Sequence, residues 1–186
     1  MTKQELRAQI AQEVKALSSE YCERADSAIC AAVQGTELYR NARTIFCYIG
    51  TDREIDTKAL LSAALADGKR LALPLCVGKG IMEARQISSL DDLVSGKFGI
   101  PAPDAACPEI APQEFDLVIV PCSTGNERGQ RLGYGGGFYD RYLSRTNCPR
   151  MLLCRHRLVK AEIPVEEHDL IMDYIATENG VVKCGK

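Results

Sequence analysis

Between Arg131 and Leu143 the chain reads RLGYGGGFYDRYL, with Gly133, Gly135, Gly136 and Gly137 standing between Arg131 and Arg141. Four glycines cost backbone entropy, and they let main-chain N–H groups converge on a point that side chains would obstruct. Such a nest binds anions, and the start of a following helix adds a favourable dipole. Arg131 and Arg141 flank the loop with guanidinium groups suited to bidentate contacts with phosphate oxygens. Asp140 offers the hard oxygen that Mg2+ takes beside phosphates. Anion cradle, cations and metal ligand together suggest a triphosphate. The segment fits neither the Walker pattern nor the dinucleotide fingerprint, so a tight turn without ligand stays open on pattern alone.

Two further basic features bear on an anionic ligand. From Arg141 to Ala161 there are six Lys or Arg residues (Arg141, Arg145, Arg150, Arg155, Arg157 and Lys160) and no Asp or Glu. This stretch is either a solvated basic surface or a local positive field that draws in phosphates and carboxylates. Near the N-terminus, Lys3 and Arg7 share a helix face at i, i+4, which leaves the opposite face free to pack.

The elements that must carry these groups follow from periodicity. Thr2-Lys3-Gln4-Glu5 forms a capping box ahead of Leu6, Ile10, Val14 and Leu17 at helical spacing. A second helix runs through Tyr21, Ala25, Ile29 and Ala32, and TIFCYIG (44–50) reads as a buried strand. Asp56 is placed to cap a helix bearing Leu60, Leu61, Ala64 and Leu65, and RLALPLC (70–76) is the next strand. GIMEARQI (80–87) suggests a strand, SSLDDLV (88–94) a short helical turn, and 98–112 a proline-rich excursion. FDLVIVP (115–121) is the strongest buried strand, followed by a loop, the glycine segment and a helix FYDRYLSR (138–145). MLLCR and YIAT complete the set. Continuous apolar strands alternating with helices predict one three-layer α/β/α domain over 1–186, with a mostly parallel central sheet. In such sheets ligands collect beyond the carboxyl ends of the strands, where the glycine segment falls.

Bulk properties narrow the class. With 186 residues, 46% apolar, the chain supports one well-buried domain. A net charge of −2 argues against a dedicated nucleic-acid partner, and no apolar run is long enough to span a bilayer. The N-terminal segment is too polar for a signal peptide, so a cytoplasmic protein is expected. The nine cysteines form no C-x-x-C pair and the only histidines are His156 and His168. Reduced, mostly buried thiols are therefore expected rather than a zinc site. Composition leaves the oligomeric state open, with a monomer slightly favoured.

The segment RLGYGGGFYDRYL closely resembles the signature of the 5-formyltetrahydrofolate cyclo-ligases, also called 5,10-methenyltetrahydrofolate synthetases. Weaker matches follow in the expected order: Lys3-x-x-x-Arg7, YIGTDREIDT, LALPLC, FDLVIVP and IPVEEHDLIMDYIATENG. The resemblance implies an ATP- and Mg2+-dependent ring closure of 5-formyltetrahydrofolate to 5,10-methenyltetrahydrofolate, releasing ADP and phosphate. It implies Lys3, Arg7 and the run Arg131, Leu132, Gly133, Tyr134, Gly135, Gly136, Gly137, Phe138 and Tyr139 as the ATP site. Within that site it points to Arg131, Arg141 and Tyr139 for catalysis. Asp140 and Asp173 are implied as Mg2+ ligands, and Ile49 and Glu54 as folate contacts. Tyr134 and Tyr139 are expected to line a cleft, although core packing would also suit them.

The chain departs from the family pattern between Pro121 and Arg131. It has Cys122 where Gly is usual and Thr124-Gly125-Asn126 where Ala-Phe-Asp is usual, and Arg155-His156-Arg157 is unusually basic. If Cys122–Asn126 faces the acceptor, a related ATP-dependent enzyme with another acceptor is an alternative, as is a nucleotide- or folate-binding protein without catalysis. A phosphosugar isomerase rests on fold analogy only. Because Arg131 and Asp140 fall in a loop and at a helix start, their removal is expected to weaken ATP use far more than folding.

Overall fold

The computed structural model describes residues 1–96 and 99–185; Phe98, at the head of the proline-rich stretch, lies outside them. The chain opens with α1 (Lys3–Ala16), α2 (Ser19–Gln34) and the short α3 (Glu37–Asn41). The expected capping box is present: Thr2 Oγ1 accepts from the Glu5 N–H, and the Glu5 carboxylate accepts from the Thr2 N–H. Then come β1 (Thr44–Phe46), α4 (Lys58–Ala66), β2 (Arg70–Gly78) and β3 (Ile81–Ile87). The ribbon strands β4 (Leu93–Ser95) and β5 (Pro101–Pro103) precede β6 (Leu117–Val120). After β6 the small strands β7 (Thr124–Gly125) and β8 (Arg131–Leu132) lead through the glycine loop to α5 (Phe138–Leu143). β9 (Arg150–Leu153), β10 (Tyr174–Thr177) and β11 (Gly180–Lys183) close the chain.

Among the described residues the main sheet has seven strands in the order β11-β10-β9-β6-β1-β2-β3. The pairs β2–β1, β1–β6, β6–β9 and β9–β10 are parallel, and antiparallel partners β3 and β11 form the two edges. The mostly parallel α/β sheet matches the expectation. The edge strand β11 was not expected, because GVVK is short and follows a turn at Gly180, whose φ is +124°.

Alternation along the strands divides the core. Ile45, Leu71, Leu117, Ile119 and Leu153 face α2 and α4, against Ile29, Val33, Leu60 and Leu61. Phe46, Val118, Val120 and Leu152 face the other way, against Tyr142 and Leu143 of α5 and the loop residues Phe115, Leu158 and Met172. The second layer is thus the six-residue α5, shorter than the helix expected through Arg145, with loops and the C-terminal part of α1 around Val14.

Three local differences have clear causes. β1 ends at Phe46 rather than Gly50, because the Thr57 hydroxyl takes the Tyr48 carbonyl at 2.6 Å and turns the chain out of the ladder. Thr57 holds the N-cap position of α4 without a side-chain cap bond, and Asp56 one residue earlier accepts the first-turn Lys58 N–H on its Oδ1, as expected of a capping aspartate. In α1, Leu6 and Ile10 pack against Leu132 and Ile163. They lie on the same side as Lys3 and Arg7, since residues three and four apart are neighbours on a helix. One side of α1 therefore both anchors the helix over β8 and carries its cations to the glycine loop.

Candidate functional site

A cleft of about 1210 Å3 opens at the carboxyl ends of β1 and β6. The glycine loop forms one wall, with the first two turns of α1 beside it. Tyr48, Ile49, Thr51 and Glu54 after β1 form another, and β2 and the β4–β5 ribbon close the far side. The polar groups expected to meet ATP and folate thus share one depression, except where noted below.

The glycine loop bends at Gly135 and Gly137, whose φ angles of +96° and +65° are ones L side chains rarely adopt. Its backbone is held from α1, where Arg7 Nε donates to the Gly133 carbonyl at 2.7 Å. A Cβ on Gly133 would stand 2.7 Å from Arg131 Nη1, so this glycine lets the arginine tuck beneath the loop. Gly135, Gly136 and Tyr134 are exposed along the cleft, with Gly133, Gly137, Phe138 and Tyr139 half-buried. Leu132 is buried and supports the loop from below through its contact with α1.

Arg131 is itself buried. Its Nη2 donates to Asp140 Oδ1 at 2.8 Å and its Nη1 to the Pro121 carbonyl at 3.3 Å, while buried Nε has no hydrogen-bond partner among the described residues. The guanidinium also lies 5.8 Å from the centre of the Tyr139 ring. Burial pushes the Tyr139 phenol well above its ordinary range, so this hydroxyl is neutral and can donate. Tyr134 donates from its hydroxyl to the Cys122 carbonyl at 2.9 Å and leaves half of its surface to the cleft.

Lys3 points into the cleft but has acidic partners. Its ammonium lies 2.6 Å from Asp169 and 3.0 Å from Glu166. Burial lowers the Lys3 pKa, but bonds to Asp169 and Glu166 outweigh it and the net shift is upward. Asp169, Glu166 and the neighbouring His168 were not foreseen as site residues. The only hint was EEHDL, acidic residues within the segment that resembles the family's close.

Glu54 stands across the cleft from the loop. Burial raises its carboxyl pKa, partly offset by the Thr51 N–H, which donates to Oε2 at 3.0 Å. The turn carrying it is tight: a Cβ on Gly50 would sit 1.9 Å from the Ile55 carbonyl oxygen. Ile49 is buried and lines the same wall, as does Tyr48, which sequence reasoning passed over as strand core.

Two expected residues are not in the cleft. Arg141 faces outward, with Nη1 donating to the carbonyls of Gly136 and Gly80, and so ties the β2–β3 turn to the back of the loop. Asp173 precedes β10, at the amino edge of the sheet opposite the glycine loop. Its Oδ2 accepts the Arg150 N–H at 2.9 Å, the same service Asp116 gives to Arg43 and Thr44. An aspartate just ahead of a strand is explained by that bond, and the structure separates Asp173 from Asp140.

The basic run also resolves into separate partners. Arg155 is buried against Asp26, Arg157 lies over the Tyr21 ring, Arg145 over Tyr142, and Lys160 pairs with Glu13. None of the six cations lines the main cleft. Cys122–Asn126 does not line the main cleft, but Cys122 and Ser123 line a small pocket behind it that also touches Tyr48 and Glu54. Thr124 donates to the Leu158 carbonyl, and Asn126 organises its turn by accepting from the Arg128 and Gln130 N–H groups. Cys30, Cys47 and Cys154 are buried, and burial pushes the Cys30 thiol up to about 11. None of the helices among the described residues is long and apolar enough to cross a membrane.

Fold and site together define an α/β protein in which a glycine-rich loop faces a half-buried carboxyl across one cleft. Residues 1–178 match the family model of 5-formyltetrahydrofolate cyclo-ligases. The chain is 27% identical over 200 residues to a probable 5-formyltetrahydrofolate cyclo-ligase of Schizosaccharomyces pombe, covering 98% of each. It is 31% identical over 150 residues to the Mycolicibacterium smegmatis 5-formyltetrahydrofolate cyclo-ligase, covering 76% of this chain and 77% of that one. The solution structure of Aquifex aeolicus 5,10-methenyltetrahydrofolate synthetase superposes with a TM-score of 0.90 at 26% identity, covering 100% of this chain and 94% of that one. The chain belongs to the 5-formyltetrahydrofolate cyclo-ligase family, and is an enzyme of that class.

Proposed function

We propose that the protein uses Mg-ATP to close 5-formyltetrahydrofolate to 5,10-methenyltetrahydrofolate. The observation that carries this reading is the glycine loop, braced by Arg7 and opened by positive φ at Gly135 and Gly137, facing Glu54 across one cleft. A triphosphate fits that cradle because side chains at these positions would be strained or would crowd Arg131. Lys3 and Arg7 stand at its rim as cations, and Tyr139 is a neutral donor beside it, while the Tyr134 hydroxyl is taken by the Cys122 carbonyl.

In this reading the formyl oxygen on N5 attacks the γ-phosphorus and ADP departs. N10 then attacks the activated carbon, phosphate leaves with the former formyl oxygen, and N10 gives up its proton. Such phosphoryl transfer asks a protein mainly for positioning and charge neutralisation, which loop, cations and cleft provide. Mg2+, when bound, would neutralise phosphate charge. Asp140 is the carboxylate to hold it, and one or two carboxylates plus phosphate oxygens are the usual Mg2+ set. Glu54 accepts N–H donors of the pterin edge, and Ile49 packs beside it.

The ground for a different acceptor was the altered stretch after Pro121; that stretch does not line the main cleft, and Cys122 and Ser123 reach it only from behind, through a small pocket beside Tyr48 and Glu54. A cytoplasmic enzyme acting on small molecules fits this reading. Purified protein mixed with Mg-ATP and 5-formyltetrahydrofolate should generate the near-ultraviolet absorbance of the methenyl product, and none without ATP. Nucleotide binding without product would overturn the catalytic reading, and turnover without ATP would overturn the phosphoryl-transfer route.

A further inference from the structure

The residue proposed to meet the folate, Glu54, sits on a tight turn closed by its own N–H to the Thr51 carbonyl, and the turn is held in place by an ion pair from elsewhere in the fold. Arg155, just beyond β9, donates from Nε and Nη2 to the two carboxylate oxygens of Asp26 on α2, at 2.7 and 2.8 Å. Both side chains are almost fully buried, at 4% and 10% exposure. A buried bidentate pair is weak evidence for stability, since apolar residues of similar volume often do as well. Its remaining bonds suggest another task. Arg155 Nη2 also donates to the Glu54 carbonyl at 2.8 Å, and Asp26 Oδ2 accepts the Asp56 N–H at 2.9 Å. The pair therefore grips the main chain on both sides of Ile55, one residue before it and one after. Thr51 fixes the Glu54 carboxylate only relative to its own turn, so the placement of that turn against the cleft falls to the pair and to Thr57.

We propose that Asp26 and Arg155 are positioning residues for the reduced folate, setting where the Glu54 carboxylate stands in the cleft. This rests on the functional reading above. Neither side chain lines the main cleft, so they act through the Glu54 turn and not by contact. Displacing a contact group by about an ångström can cost up to about a hundredfold in the reaction it serves. The effect should fall on folate and spare ATP, whose loop is braced separately by Arg7 and Arg131.

The test is a double replacement, Asp26→Leu with Arg155→Met, which removes both charges and leaves no unpaired ion. Arg155→Lys serves as a second variant that keeps Asp26 compensated should the double replacement fail to fold. With normal thermal unfolding, the expected result is a KM for 5-formyltetrahydrofolate raised roughly tenfold or more, with the KM for ATP within about twofold. Combined with Glu54→Gln, the rise should be no larger than for Glu54→Gln alone, because both changes remove the same contact. An unchanged folate KM in a folded variant, or effects that multiply with those of Glu54→Gln, would overturn the proposal. If Glu54→Gln by itself leaves the folate KM unchanged, or the native enzyme makes no methenyl product, the functional reading fails instead and takes this proposal with it.

Discussion

Arg131 separates two views of the glycine loop, and Arg131→Ala decides between them. As a loop residue it was expected to matter for ATP and little for folding. The structure places it in the interior, with 5% of its side chain exposed and its charge shared with Asp140. Truncation removes a charge-assisted hydrogen bond, worth about 1.5–3 kcal/mol, and strips the Pro121 carbonyl of its donor. The contact with the Tyr139 ring adds about 0.5–2 kcal/mol. Against this stands relief of the orphaned Nε, a desolvation cost of about 1–3 kcal/mol that the variant no longer bears. The net loss should be about 2–3 kcal/mol, since Asp140 is a quarter exposed and can be rehydrated. For a chain of this length that corresponds to a fall in Tm of about 5–10 °C. Thermal unfolding by circular dichroism without nucleotide reads it directly. Asp140→Asn, which keeps an oxygen toward Arg131, should melt within about 3 °C of the native protein while turnover at saturating Mg-ATP collapses. An Arg131→Ala protein that melts normally and still loses ATP use would refute this account and make the guanidinium a phosphate ligand only.

Glu54→Gln should raise the folate KM by about tenfold or more, the worth of a charge-assisted hydrogen bond, yet make the protein more stable at pH 7. The sign follows from burial: the folded carboxyl pKa lies above 4.5, so native stability falls as pH rises through that raised range. The Tm advantage of the variant should therefore vanish in acid, and a constant advantage across pH would contradict it. Gly137→Ala forces an alanine to φ of +65° with its Cβ 3.0 Å from Arg141 Nη1, costing about 1–2 kcal/mol and raising the KM for ATP; equal melting and equal KM would exclude a strained cradle. Asp173→Asn should leave the Mg2+ concentration for half-maximal rate unchanged while Asp140→Asn raises it, and a matching rise in both would return Asp173 to the metal site.

What could be read from the chain alone was whatever depends on neighbours along it. The capping box at Thr2, the apolar runs of β2 and β6, and the glycine loop ahead of α5 are local patterns with local causes. What escaped depends on partners distant in sequence. Lys3 meets Asp169, Arg155 meets Asp26, and neither pairing leaves any mark in spacing. The basic run from Arg141 to Lys160 illustrates the same limit. Its six cations are spread over helix, turn, strand and loop, so adjacency in sequence sends them to different partners. Asp173 was carried into the metal site by resemblance, whereas its position in chain order, directly before a strand, already admitted the simpler role of bonding to the neighbouring strand's first N–H.

The two halves of the cleft are joined through strands β6 and β9. Just past β6, the Pro121 carbonyl receives Arg131 and the Cys122 carbonyl receives Tyr134, so this end sets the glycine loop. Just past β9, Arg155 grips the Glu54 turn. Cys122 then donates from its thiol to the Leu153 carbonyl at 3.2 Å, tying the two strand ends to each other. Glycine, the usual residue at Cys122 by family resemblance, would lack this tie. The departure at Cys122 therefore bears on how the glycine loop and the Glu54 turn are held relative to each other. A phosphoryl transfer needs in-line placement of two substrates held by different walls, and the adjacent ends of β6 and β9 are where those walls meet.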